Sequence, residues 1–219
     1  MRHIATKSKR FSSNRLASIG IGSLIIFIAM ILVAGIAASV IIQTMNSLQE
    51  QASKTGISTM RDIAGGIKVT QVSGHTINSK IDQLAIFITP IVASEDIDLT
   101  YTYISLTDSS KKVILNYDSS CFSSGISNGL FGTLNASNLT ATEYGIIVVR
   151  DIDSSCTSST PVINENDIVI LLINTTSCFS GIGTNTDVTG AVNPEYGISG
   201  IVSFTTPSAL IDPIVELQQ

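Results

Sequence analysis

The chain has 219 residues, with 12 Lys and Arg against 17 Asp and Glu, and it is 44% hydrophobic but only 13% charged. Five of the basic side chains (Arg2, Lys7, Lys9, Arg10, Arg15) stand in the first seventeen residues beside no acidic one, so positions 18–219 keep 7 basic against 17 acidic, a net of about −10. A body this acidic repels phosphate, which argues against nucleic acid as a partner.

Behind the basic leader, positions 16–49 carry no charge at all. The apolar run 19–42 exceeds the roughly 20 residues needed to span hydrocarbon. Lys and Arg ahead of such a run keep the N-terminus cytoplasmic and send residues 50–219 across the membrane. A cleaved secretory signal would have a shorter apolar core followed by a small-residue cut site. Here the far end of the run continues into helix-forming residues, and the small-residue step lies before it, at Arg15-Leu16-Ala17-Ser18.

From Leu24 to Ile42 the run has no polar stripe, so lipid or protein must bury it on every side. Its twelve large apolar side chains supply an insertion free energy on the order of −5 kcal/mol. Ala34 with Ala38 and Gly35 with Ser39 repeat at the small-xxx-small spacing that lets packed helices approach closely. Composition alone favours a plain transmembrane anchor over a polymerising helix. Past Gln43 the pattern turns amphipathic: Leu48, Ala52, Ile57, Met60, Ile63 and Ile67 recur at roughly helical intervals, with Glu50, Lys54, Arg61 and Asp62 on the wet side. Gly65-Gly66 predicts the stop. A helix over 18–64 is about 70 Å long at 1.5 Å per residue.

The step Gly20-Ile21-Gly22-Ser23-Leu24, followed by the apolar stretch 25–43, resembles the N-terminus of archaeal flagellins (archaellins), type IV pilin-like proteins made with class III signal peptides. The resemblance implies a membrane peptidase that cuts ahead of the helix, here between Ala17 and Ser18. Relatives usually carry Lys or Arg followed by Gly before the cut, where this chain has Arg15-Leu16-Ala17. Bacterial type IV pilins place a Glu at the position of Gly22. The implied organisation is a leader over 1–17, a helix over 18–66 that spans the membrane before assembly, and a head over 67–219.

The resemblance further implies a homopolymeric filament core built on Gly20, Gly22, Leu24, Ile28, Ile31, Ala34, Gly35 and Ala38, an extracellular flagellum filament for swimming, and no cofactor. Implied partners are other filament subunits, the prepilin-type leader peptidase, and the assembly and motor ATPase with its membrane platform. Two other readings share the helix: an archaeal adhesive pilin, and a single-span surface protein that never polymerises.

The roughly 150 residues after the helix suffice for one domain. Period-two alternation predicts strands over 67–72, 81–92, 99–106, 112–117, 144–151, 167–173 and 197–205. That many short strands predict a two-sheet, immunoglobulin-like sandwich, an α+β chain overall. The family resemblance implies the same fold and adds closing strands at 203–207 and 214–217.

Three cysteines in an exported domain allow at most one internal disulfide. Segments 120–126 and 177–182 echo each other, and if they are neighbours Cys121 and Cys178 form the natural bridge, leaving Cys156. Asn135, Asn138 and Asn174 head Asn-x-Ser/Thr acceptor patterns for N-glycosylation. No catalytic arrangement is expected: His75 is the only histidine beyond the leader and has no recognisable nucleophile partner. The carboxylates of Glu95-Asp96-Ile97-Asp98 fit a solvated acidic turn better than a Ca²⁺ site, so no metal is expected.

Overall fold

The computed structural model describes residues 9–91 and 96–219, with side chains described from Ile19 onward. The chain divides into two compact units, Met1–Gly56 and Ile57–Gln219. Helix α1 runs without interruption over Lys9–Ala64. Every side chain from Ile19 to Ile63 is exposed.

Within the second unit the helix ends as its glycines require. The Gly65 N–H donates to the Arg61 carbonyl (3.1 Å), and Gly66 takes a φ of +140°. A Cβ at Gly66 would lie 2.4 Å from the Ile198 backbone, which instead pairs with the chain: Ile198 N–H donates to Gly65 O (2.9 Å) and Ile67 N–H to Ile198 O (3.0 Å). Ile67 begins the first strand, as the predicted strand over 67–72 does, and is buried.

The strands in chain order are β1 (Ile67–Ile77), β2 (Lys80–Pro90), β3 (Ile97–Asp98), β4 (Tyr103–Thr107), β5 (Lys112–Ser123), β6 (Glu143–Arg150), β7 (Val162–Ile163), β8 (Ile168–Asn174), β9 (Asp187–Asn193), β10 (Gly200–Thr205) and β11 (Ile214–Gln218). A short helix α2 (Thr175–Phe179) follows β8. Nine strands form one sheet in the order β10-β9-β4-β5-β6-β8-β2-β1-β11, and β3 pairs with β7 separately. All pairings are antiparallel except that of β5 with β6. The two layers of the expected sandwich are thus halves of a single sheet that curls until its edges meet. At the seam the Gln218 side chain joins β11 to β10, accepting from Ser203 N–H (2.8 Å) and donating to Ile201 O (3.2 Å).

The unbroken apolar run of β8 has a definite cause. Val169, Leu171 and Ile173 face the interior of the curled sheet, whereas Ile170 and Leu172 face outward into a second apolar cluster with Ala85, Cys121, Leu139 and Ile147. Segment 124–142, between β5 and β6, covers that outward face through Leu130, Phe131, Leu134 and Leu139. A strand buried on both faces reads as continuously apolar. Ile97 of β3, Ile163 of β7 and Leu99 belong to the interior cluster. There the buried Tyr144 hydroxyl lies 2.9 Å from Thr102 O and 3.1 Å from Leu99 O, and burial pushes its pKa up.

The structure differs from the predicted strands at four elements. The Thr-Tyr alternation at 100–103 does not start as a strand: Leu99–Tyr101 is a 3-10 turn, because the Asp98 carboxylate accepts from Thr100 N–H (2.8 Å) and offers the backbone a local partner. Strand β9 escaped detection because Asp187-Val-Thr-Gly-Ala-Val-Asn193 has a central Gly and no large apolar side chain. The short strands β3 and β7 were also missed, being two residues each.

Candidate assembly helix and head-domain sites

Leu24, Ile28, Ile31, Gly35 and Ala38 follow at i, i+4, i+7, i+11 and i+14, which puts them on one face of α1. Ile28 and Ile31 are 49% and 54% exposed in the isolated subunit, ordinary values for bare helix and far from those of a core. A Cβ added at Gly20, Gly22 or Gly35 would meet nothing within 4 Å. These glycines relieve no crowding inside the chain; the room they leave suits the backbone of another helix, as small residues do where apolar helices pack. Ala34 lies one helical turn before Ala38 and is exposed like it.

Two hydroxyls in this stretch are satisfied within the helix. Ser23 Oγ donates to Gly20 O (2.9 Å) and Thr44 Oγ1 to Ile41 O (2.8 Å), so neither brings an unmet donor into an apolar environment. Farther along, Met45, Leu48, Ala52, Gly56 and Ile63 line one side, with Glu50 and Lys54 opposite, 3.9 Å apart. The Ala17–Ser18 bond lies within the helical backbone, and its side chains fall outside those described.

In the head, the described residues of the expected acidic turn have local uses. Asp98 caps the 3-10 turn, the Asp96 carbonyl accepts from the Tyr196 hydroxyl, and Glu95 lies outside the described residues. A different trio converges instead: Asp151, Asp153 and Asp167 bring oxygen atoms within 4.8 Å of one another. Asp167 is fully buried; its Oδ2 accepts from Asn164 N–H (2.9 Å), while Oδ1 is buried without a hydrogen-bond partner. Asp153 Oδ2 accepts from Asn164 Nδ2 (2.6 Å), and Asp151 Oδ2 from Cys156 N–H (3.1 Å).

Burial pushes the Asp167 carboxyl up, and the Asp151 and Asp153 charges add to the effect; the Asn164 side chain holds Asp153 below the usual range. Three carboxylates with an unmet oxygen are a donor set for a hard divalent cation such as Ca²⁺, which takes 6–8 oxygens and can complete its shell with water or carbonyls. Asp151-x-Asp153 was visible as a pair in sequence, but Asp167 joins only through the fold.

The three sequons are not equivalent. Asn135 and Asn138 are exposed, on and beside the 3-10 turn Ala136–Asn138. Asn174 is half-buried: its Nδ2, the atom a glycan would occupy, donates to Ala136 O (2.8 Å), and its Oδ1 caps α2 by accepting from Ser177 N–H (3.1 Å). Peptide mapping should therefore find no added mass at Asn174. Asn174→Ala should lower the head's melting temperature by roughly 2–10 °C, from the lost cap and the orphaned carbonyl, about 1–3 kcal/mol together.

The candidate disulfide is not formed. Cys121, Cys156 and Cys178 are all buried free thiols. Cys121 sits in the outer apolar cluster and Cys178 in the interior one, the two clusters that alternate residues of β8 keep apart. The echoing segments share no structure either, since Cys121 ends strand β5 and Cys178 lies in α2. Burial pushes Cys156 up to about 12 and Cys178 up to about 11, so both are inert thiols at neutral pH.

Residues 17–204 match the model of the archaeal-type flagellin family. The chain belongs to that family. Among similar proteins, flagellin B2 of Methanocaldococcus jannaschii is 43% identical over 212 residues, covering 95% of this chain and 98% of that one. Flagellin B1 of Methanococcus voltae is 40% identical over 217 residues, covering 96% and 99%. A crystal structure of an archaeal flagellin from Methanocaldococcus jannaschii superposes with a TM-score of 0.65 at 32% identity, covering 71% of this chain and 98% of that one. The fold is also that of the archaeal flagellum of Methanospirillum hungatei (TM-score 0.60, 14% identity, covering 91% and 99%).

Archaeal-type flagellins are structural proteins, and His75 in this flagellin has a structural use. Its Nδ1 lies 2.7 Å from Asp82 Oδ1, and its ring lies 5.2 Å from that of Phe131 on the covering segment.

Proposed function

We propose that the chain is the structural subunit of an archaeal flagellum filament, polymerising through α1 for swimming motility. The observation that carries this is the helix itself: apolar on every side from Leu24 to Ile42, exposed from Ile19 to Ile63, and fitted with glycines whose open space meets no described residue of the chain. In water such a surface is stable only when identical helices bundle and exclude solvent. The head, net acidic and rich in Ser and Thr, forms the wet exterior.

On this reading residues 1–17 are a leader, removed at the Ala17–Ser18 bond by a prepilin-type peptidase while residues 18–66 hold the precursor in the cytoplasmic membrane. Residues 67–219 are the exported head, with Asn135 and Asn138 as its accessible glycan acceptors. An assembly and motor ATPase with its membrane platform, and other flagellin subunits, are the remaining partners.

Electron microscopy of filaments sheared from motile cells, followed by N-terminal sequencing of the subunit, tests the proposal. The expected N-terminus is Ser18. An intact Met1 would remove the filament reading, and a processed subunit confined to non-rotating fibres would make the protein a pilin.

A further inference from the structure

The curled sheet treats its two outward halves differently. Segment 124–142 covers the outside of β6, β8, β2 and the Cys121 end of β5, whereas among the described residues nothing comparable covers the outside of β10, β9, β4 and the Lys112–Asn116 half of β5. Register aligns a row across these four strands: Ile201 pairs with Ala191, Ala191 with Ser105, and Ser105 with Ile114. Ile201 is 69% and Ile114 52% exposed, and the two small residues between them make the floor of a shallow trough. Three strand spacings set its width at about 14 Å. Tyr103, also exposed, stands on the same face two residues before Ser105.

Charge distinguishes this face from the rest of the head. Residues 67–219 hold 5 basic and 15 acidic side chains. The outward positions of the four strands hold one cation, Lys112, and two anions, Asp118 and Asp187. Copies carrying a net of about −10 repel wherever their acidic surfaces come within the Debye length, about 8 Å at physiological ionic strength. A face with a net charge of only about −1 is where two such copies approach at least cost, and its two bare isoleucines favour the contact once made.

We infer that the β10-β9-β4-β5 face is the head-to-head contact between copies of this chain. The inference rests on the filament reading and adds to it which surface of the head is buried on assembly. In a helical polymer the contact is heterologous, so the trough meets a different surface of the neighbouring copy and the pairing propagates.

Thiol labelling tests this directly, because the native cysteines are buried and give little background. Ile201→Cys and, as a control on an exposed loop, Ser159→Cys are introduced into the full chain and treated with a maleimide-polyethylene glycol. Both label in unassembled membrane-held subunits. In intact filaments Ile201→Cys should label at least tenfold more slowly, relative to its own unassembled rate, while Ser159→Cys keeps its rate. Equal labelling of both in filaments would overturn the inference, whether the face is bare or reserved for another partner.

Ala191→Arg supplies a second readout. Filaments should be lost or dissociate at lower temperature while the head's melting temperature stays unchanged. Filaments of normal thermal stability from that variant would also overturn the contact. Failure of the unsubstituted chain to form filaments would instead refute the reading on which the inference rests.

Discussion

Ile31→Asp is expected to abolish filaments. Ile31 sits mid-helix on the face shared with Leu24, Ile28, Gly35 and Ala38, and is exposed in the isolated subunit. At the centre of a membrane-spanning helix, replacing Ile by Asp shifts the insertion free energy by about 3–4 kcal/mol against the membrane. The larger effect comes on assembly, where each copy would bury a carboxylate with no partner among packed apolar helices, at several kcal/mol per subunit.

The compact unit Ile57–Gln219 does not include residue 31, so the head should melt as before. Ile31→Leu, which keeps the volume, should leave filaments intact. Counting sheared filaments and the subunit held in the membrane fraction separates failed assembly from failed insertion. Normal filament numbers from Ile31→Asp would show that Ile31 faces water.

The second large effect concerns the Asp151, Asp153 and Asp167 trio. Where a divalent cation is present at a thousandfold excess over its dissociation constant, it stabilises the folded head by about 4 kcal/mol. For a domain of this size that is roughly 8–16 °C in melting temperature. EDTA should therefore lower the melting temperature by an amount of this order, Ca²⁺ should restore it, and Asp167→Asn should abolish the response. An unchanged melting temperature in EDTA would rule out a cation there.

The dependence on pH changes sign with the cation. Asp167 in the folded head has its pKa raised above 3.8 by burial and by its two carboxylate neighbours. In EDTA the folded state therefore binds the proton more tightly than the unfolded one. Stability relative to Asp167→Asn then falls as pH rises from about 3.8 through the folded pKa. With Ca²⁺ bound, protons compete with the metal, and the stabilisation is lost as pH falls through the same window. Melting curves of the two proteins across that range, with and without EDTA, should show opposite slopes.

The helix was legible because its signals are local and contiguous. Charge clustered ahead of residue 16, its absence through Gln49 and paired glycines at 65–66 all lie along one stretch of chain, and a helix's hydrogen bonds stay within that stretch. Strands β1, β2, β5, β6, β8 and β10 were found for a similar reason, since alternation is read from neighbours in sequence. The alternation at 99–103 misled because a single Asp98 side chain redirected the backbone, a competition that periodicity does not register.

Sequence alone thus determined the all-round apolar helix, its stop, a β-rich acidic head and, through Gly20-Ile21-Gly22-Ser23-Leu24, the resemblance to archaeal flagellins. Only the tertiary structure decided that the sandwich is one curled sheet, that Cys121 and Cys178 lie in separate clusters, that Asn174 is occupied by its own loop, and that Asp167 joins Asp151 and Asp153. Each of these depends on which residues, tens of positions apart, strand register brings face to face, and a shift of one residue in that register would turn every side chain of a strand to the opposite side.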